Sequence, residues 1–161
     1  MARTIITLSK FVGTVGLGLM TGLSYGLSTI TLPSLLLLPS APSAHASFEK
    51  LQSSTTLHSR VLSAVSFSGL VLAYIMSPSR GKHPYLLWTA LLVGIDQGAE
   101  LFASKKAEAA RNRQLPVAEE DINGEQVRNA IEQWKISRAI NATVSGLAFA
   151  MSVVGIWGDG F

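Results

Sequence analysis

Asp96 and Glu100 stand four residues apart inside an otherwise apolar stretch. That spacing puts both carboxyl groups on one face of a helix. Counted back from Lys105, Asp96 lies about 13 Å inside the stretch at ~1.5 Å per residue. An unpaired Asp at the centre of a membrane helix costs ~2.5–3.5 kcal/mol, so the pair must face protein or water. Two roles fit such a pair: an ion or proton site, or polar glue between helices. Arg138, Asn141 and Ser145 open the next apolar stretch, and antiparallel packing brings them to similar depth. Glu100 with Arg138, and Asp96 with Asn141 or Ser145, would then satisfy one another. With no intramembrane histidine to extend a relay, glue is the favoured role.

Other chemistry finds little support. His45, His58 and His83 lie in connections or at stretch edges without metal-ligand spacing. There is no cysteine, so thiolate sites and disulfides are excluded. Neither a Gly-x-Ser-x-Gly elbow nor a phosphate-cradling Gly-x-x-x-x-Gly-Lys loop occurs. Asn141-Ala142-Thr143 spells a glycosylation sequon, but within an apolar stretch. No catalytic residue, cofactor or metal is expected. The net charge of +3 carries no basic stripe with interleaved aromatics, which argues against nucleic acid.

The elements that must position these residues are set by hydropathy. Hydrophobic residues make up 48% of the 161 and charged residues 14%, against about 25% charged in soluble domains. The charges cluster and leave stretches long enough to cross a bilayer. An all-α, integral membrane four-helix bundle forming one domain is expected, with spans at 11–32, 61–77, 84–104 and 139–157. Pro33 closes the first, which would reach about 33 Å against a ~30 Å hydrocarbon core. Residues 39–56, rich in Ser, Pro and Ala, read as a loop. The connection PSRGKH is short enough for an antiparallel hairpin. Residues 105–135 form a polar loop, partly helical. Within it Asn123 with Gln126 resembles a capping box, and Val127, Ile131 and Trp134 give an amphipathic face suited to the membrane surface. Ala44-His45-Ala46 resembles a signal cleavage site, but the preceding apolar run exceeds the ~7–15 residues of a signal core. The first span is therefore read as retained.

Gly18, Gly22 and Gly26 recur every fourth residue in the first span, with Thr14 extending the row. Such a row lets another helix approach closely, which matters where lipid supplies no hydrophobic drive. Ala142, Gly146 and Ala150 in the fourth span, and Gly69 and Ala73 in the second, are complementary faces. The favoured use is packing within the chain; a homo-oligomer is the other. Trp88, Trp134, Trp157 and Tyr85 suit an aromatic belt. An even number of spans puts both termini on one side. Four basic residues lie there and nine on the other side, which places the longer loops in the cytosol.

The run Ser9 to Tyr25 (SKFVGTVGLGLMTGLSY), then Thr31-Leu32-Pro33-Ser34-Leu35 and His83-Pro84-Tyr85-Leu86-Leu87, resembles the fungal autophagy-related mitophagy proteins of the mitochondrial outer membrane. The resemblance implies a multi-span outer-membrane protein that promotes selective autophagy of mitochondria, by interaction and not catalysis. It brings no catalytic residue with it. Its partners would be the lipid bilayer and the autophagy machinery on the cytosolic side. There Phe48-Glu49-Lys50-Leu51 has the aromatic-x-x-aliphatic spacing that autophagy ubiquitin-like proteins read as an added strand. Two alternatives stay open: a small four-span membrane enzyme like the anthrone-oxygenase-like family, and an organellar membrane assembly factor.

Overall fold

A computed structural model describes residues 2–78, 82–111 and 123–158, and every element in them is helical. Helix α1 (Ala2–Gly26) runs through a π-helical turn (Leu27–Thr31) into α2 (Leu32–Leu35). Helices α3 (Ala41–Met76), α4 (Pro84–Arg111) and α5 (Gly124–Gly158) follow. The rod α1–α2 packs against α3 and α5, which both flank α4, so four antiparallel rods close a ring. Three apolar stretches, Arg3–Leu35, Ala41–Met76 and Gly124–Gly158, are long and apolar enough to cross a membrane. Helix α4, expected to be the third span, falls short of that apolarity because Asp96, Gln97 and Glu100 interrupt it.

Two expected boundaries are corrected. Pro33 does not end the first helix, because its missing N–H is absorbed locally. The chain opens into a π turn before the proline, so that Leu32 N–H reaches Leu27 O. Ser and Thr hydroxyls take up neighbouring carbonyls: Thr31 Oγ1 donates to Gly26 O at 3.4 Å and Ser34 Oγ to Ile30 O at 2.7 Å. This is how membrane helices tolerate proline. The stretch 39–56 is helix rather than loop. Pro39 lies outside α3 and Pro42 falls in its first turn, where a missing N–H costs nothing. The Ser40 hydroxyl caps that turn by accepting from Ser43 N at 3.4 Å. Nothing in 43–68 then breaks the helix.

Helices α3 and α5, with 36 and 35 residues, are each more than 50 Å long at ~1.5 Å per residue. A hydrocarbon layer is ~30 Å thick, and the excess gathers at one end. There the end of α1–α2 and the starts of α3 and α5 enclose a second core of Leu32, Ala44, Phe48, Val127 and Ile131. The face of Val127 and Ile131, expected to lie on a membrane, is thus spent inside this headpiece, with Ile131 only 1% exposed. Asn123 caps α5 by accepting from Glu125 N at 3.0 Å; a reciprocal bond from Gln126 is not formed among the described contacts. Asn123→Ala should lower stability by about 1 kcal/mol, read as a small drop in the thermal midpoint of the purified chain.

The main core of Leu17, Met20, Leu70, Leu86, Val93 and Ala148 lies between all four rods. Polarity is arranged inside out. Thr14, Ser59, Ser63, Ser66, Thr89, Asp96, Arg138, Ser145 and Ser152 are buried, while Phe11, Leu19, Ile75, Leu91, Ile95, Leu147 and Val154 are exposed. An exterior of this kind marks a surface that meets protein or membrane.

Candidate polar site within the bundle

The sharpest polar feature is where α3, α4 and α5 meet below the headpiece. Glu100 and Arg138 form an ion pair, Nη2 to Oε1, at 3.1 Å, with side chains 9% and 3% exposed. Asn141, one turn further along α5, points its amide at the same patch. With nitrogen and oxygen assigned to suit their partners, Asn141 Nδ2 donates to Asp96 Oδ1 at 3.1 Å and to Ser137 O at 3.2 Å. Its Oδ1 accepts from Arg138 Nη2 at 3.2 Å. Helix α3 closes the patch with Ser59, whose Oγ donates to Glu100 Oε2 at 3.4 Å and accepts from Gln97 Nε2 at 3.5 Å. Ser145 does not reach Asp96; its hydroxyl donates to Asn141 O at 2.7 Å and accepts from Thr21 at 3.1 Å.

Arg138 joins this patch to the headpiece. Its guanidinium lies 5.2 Å from the Trp134 ring centroid, and Trp134 meets Phe48 edge-on at 5.5 Å. The stacked cation and the T-shaped ring pair are both favourable geometries. Its Nε makes no hydrogen bond. Chemically the patch is a clamp. Two carboxylates, one guanidinium and one amide on two antiparallel helices consume each other's hydrogen-bonding capacity. Ser59 Oγ stands 3.4 Å from Glu100 Oε2, a carboxylate already paired with Arg138. Among the described residues no three His, Cys, Asp or Glu side chains gather as metal ligands would.

A serine ladder belongs with this site and was not anticipated. Thr55, Ser59, Ser63 and Ser66 are all buried on one face of α3. Ser63 Oγ donates to Ser59 O at 2.8 Å and touches Met20 Sδ at 2.9 Å. On the opposite wall Thr14 and Ser152 join α1 to α5 by a short hydroxyl contact. The signal was present as four hydroxyl residues at spacings of four, four and three, the helical stripe.

The glycine face is different from the expected one. A Cβ added at Gly22 or Gly26 would meet nothing within 4 Å, while one at Gly18 would sit 3.1 Å from Phe149. Most of the Gly18/Gly22/Gly26 row therefore looks outward. The close approach of α1 uses Gly13 and Gly16, which face Ser66 and Leu70, and Gly69 on α3. A Cβ at Gly69 would lie 2.9 Å from Ser9 O and 3.3 Å from Gly13 Cα. Ala73 is buried in the main core. On α5, Gly146 faces Thr21 at 3.4 Å, Ala142 is half-buried and Ala150 is exposed.

The Phe48–Leu51 pair does not form an extended segment. Both residues are in the helical α3, with Phe48 8% exposed within the headpiece core and Leu51 packed against that core. The strand-addition reading needs an exposed, non-helical chain, and this structure offers neither.

Comparison with known proteins gives a consistent picture. A model of the family described as autophagy-related protein 33 matches residues 1–126. A curated autophagy-related protein 33 from Gibberella zeae is 35% identical, with 98% of this chain and 93% of that protein covered. No solved structure matches.

Proposed function

The chain belongs to the autophagy-related protein 33 family, and on that premise we propose that it is an integral membrane bundle of the mitochondrial outer membrane, promoting selective autophagy of mitochondria by interaction rather than catalysis. The observation that carries the autophagy role is the near full-length match to a curated autophagy-related protein. The membrane reading rests on three helices long and apolar enough to cross a bilayer and on an exterior rich in exposed Leu, Ile, Val and Phe. Helix α4 joins them as the fourth span because the bundle hides its acids. Glu100 is neutralised by Arg138 and Asp96 is held by Asn141, as intramembrane charges require.

Interaction is favoured over catalysis because Asp96, Glu100, Arg138 and Asn141 bind one another. The headpiece is the part of the fold that stands clear of a bilayer, and so the part a soluble autophagy factor could reach. By sequence, nine Lys and Arg residues fall in the two longer connections and their flanks, against four on the other side, which favours the cytosol for those connections.

Deleting the gene in its native fungus and following mitochondrial turnover during starvation tests the function. Turnover should fall while bulk autophagy proceeds. Unchanged turnover, or a protein found away from mitochondria, refutes the proposal. In intact mitochondria, protease should cut between α4 and α5; protection of that segment would reverse the orientation.

A further inference from the structure

The two ends of the bundle differ in charge in a way that the count of Lys and Arg conceals. The end opposite the headpiece gathers the start of α1, the connection between α3 and α4, and the end of α5. Contacts between helices place it: Gly69 of α3 lies against Ser9 and Gly13 of α1, so residues before Ser9 reach towards Met76 and beyond. Lys10 Nζ lies 5.8 Å from the centroid of the Tyr85 ring, at the start of α4. Among the described residues this end carries Arg3, Lys10 and Lys82 and no Asp or Glu. The described residues of the headpiece and the polar patch beneath it mix both signs, with Lys50, Arg128 and Arg138 beside Glu49, Glu100 and Glu132. Among the described residues, the end opposite the headpiece is therefore the one of purely positive charge.

Those charges are also set where a lipid headgroup would be. Lys82 Nζ lies 5.5 Å from the Tyr74 ring centroid, and His83 and Tyr85 have ring centroids 6.1 Å apart. Around them Trp88 and Trp157 are 58% and 71% exposed. Amphipathic rings at this level mark the boundary between hydrocarbon and headgroups. An ammonium over a ring just beyond that boundary is held at the height of lipid phosphates. Arg3 is exposed in the first turn of α1. At the headpiece end Arg128 reaches Glu132 at 3.2 Å.

We propose that the end opposite the headpiece is a binding surface for anionic phospholipid, engaging headgroup phosphates of the leaflet it faces through Lys82 and Arg3, with Lys10 and His83 beside them. The inference rests on the membrane-spanning reading. Basic residues near a charged leaflet each add attraction equivalent to about a fivefold preference, and salt screens it.

The test uses the full chain reconstituted in vesicles of phosphatidylcholine, with brominated phosphatidylglycerol or brominated phosphatidylcholine titrated in as quencher. Trp88 and Trp157 report on the end opposite the headpiece, and Trp134, packed in the headpiece, is a constant background. The anionic quencher should act at a mole fraction about fivefold lower or better than the neutral one. That preference should fall towards parity in R3Q/K82Q and at high salt, and persist in K50Q/R128Q. Equal quenching by the two lipids in the wild type overturns the proposal and leaves the membrane reading standing. Absence of quenching by either overturns the membrane reading itself. A preference unchanged in R3Q/K82Q, or abolished by excess soluble glycerophosphate at constant ionic strength, also overturns it; the latter would indicate a free-phosphate site.

Discussion

The charge reversals Glu100→Arg and Arg138→Glu should each destabilise the bundle severely, and the double exchange should recover much of the loss. The pair is buried, 9% and 3% exposed, at 3.1 Å. Removing one member of such a pair leaves a charge without compensation and costs about 3–5 kcal/mol. Reversal does worse, because it sets two like charges side by side. In the double exchange the arginine introduced on α4 would face the glutamate introduced on α5 and lie one helical turn from Asp96. Recovery should be incomplete for two reasons. The guanidinium stacked 5.2 Å from Trp134 is lost, and such a contact contributes about 0.5–2 kcal/mol. Asn141 must also turn its amide, since its oxygen now accepts from Arg138. Thermal midpoints in detergent, or unfolding by steric trapping in bilayers, would measure the cycle. A double variant no more stable than the worse single one would show that the contact carries no coupling.

Why Glu100 meets Arg138 can be read from two spacings. The i, i+4 repeat of Asp96 and Glu100 fixes one face of α4. The distances of Glu100 and Arg138 from the polar segment between them fix a common depth on antiparallel helices. Both spacings are local properties of the chain and survive translation into three dimensions. The helix count was legible for the same reason, since hydropathy alone delimits the apolar stretches. The boundaries were not. Pro33 reads as a stop because a proline inside a helix forfeits a hydrogen bond; the π turn that absorbs it depends on where Ser and Thr hydroxyls can reach. The stretch 39–56 reads as a loop from its composition, yet both its prolines fall where α3 tolerates them. Tertiary packing against α5 then keeps the stretch helical. That contact also explains why Phe48 serves as a core residue rather than as an exposed motif.

The inside-out polarity and the charge asymmetry meet in one consequence for function. Among the described residues the end opposite the headpiece is basic and bears exposed aromatics, whereas the headpiece mixes both signs and has its own core. On the proposed function, one end would hold a leaflet and the other would meet proteins. Arg138 and Trp134 lie where the two parts join, so damage to the ion pair should reach the headpiece as well as the bundle. The Glu100 and Arg138 variants would therefore expose α3 near Phe48 to protease before the bundle itself is cut.

Substituting Gly69 by Val should disrupt the fold, whereas Gly22→Leu and Gly26→Leu should leave stability nearly unchanged. A Cβ at Gly69 would stand 2.9 Å from Ser9 O and 3.2 Å from Gly13 N, both backbone atoms. Backbone cannot rotate aside as a side chain does, so α1 and α3 must part. Overpacking of this kind costs about 1–3 kcal/mol, occasionally more, and Val should fall at the upper end. Gly16→Ala is the intermediate case: its Cβ would fall on Ser66 Oγ, which can turn away. Gly22 and Gly26 meet nothing within 4 Å, so Leu there only adds apolar surface to an already apolar exterior. Thermal midpoints of the four variants should rank Gly69→Val lowest, Gly16→Ala next, and the outward pair with the wild type. A collapse at Gly22→Leu equal to that at Gly69→Val would put the α1 packing face on the wrong side of the helix. If Gly22→Leu keeps its midpoint but loses activity in mitochondrial turnover, the outward row serves association with another helix rather than folding. Gly69 and Gly22 therefore separate the two roles that the fourfold repeat of Gly18, Gly22 and Gly26 leaves indistinguishable by spacing.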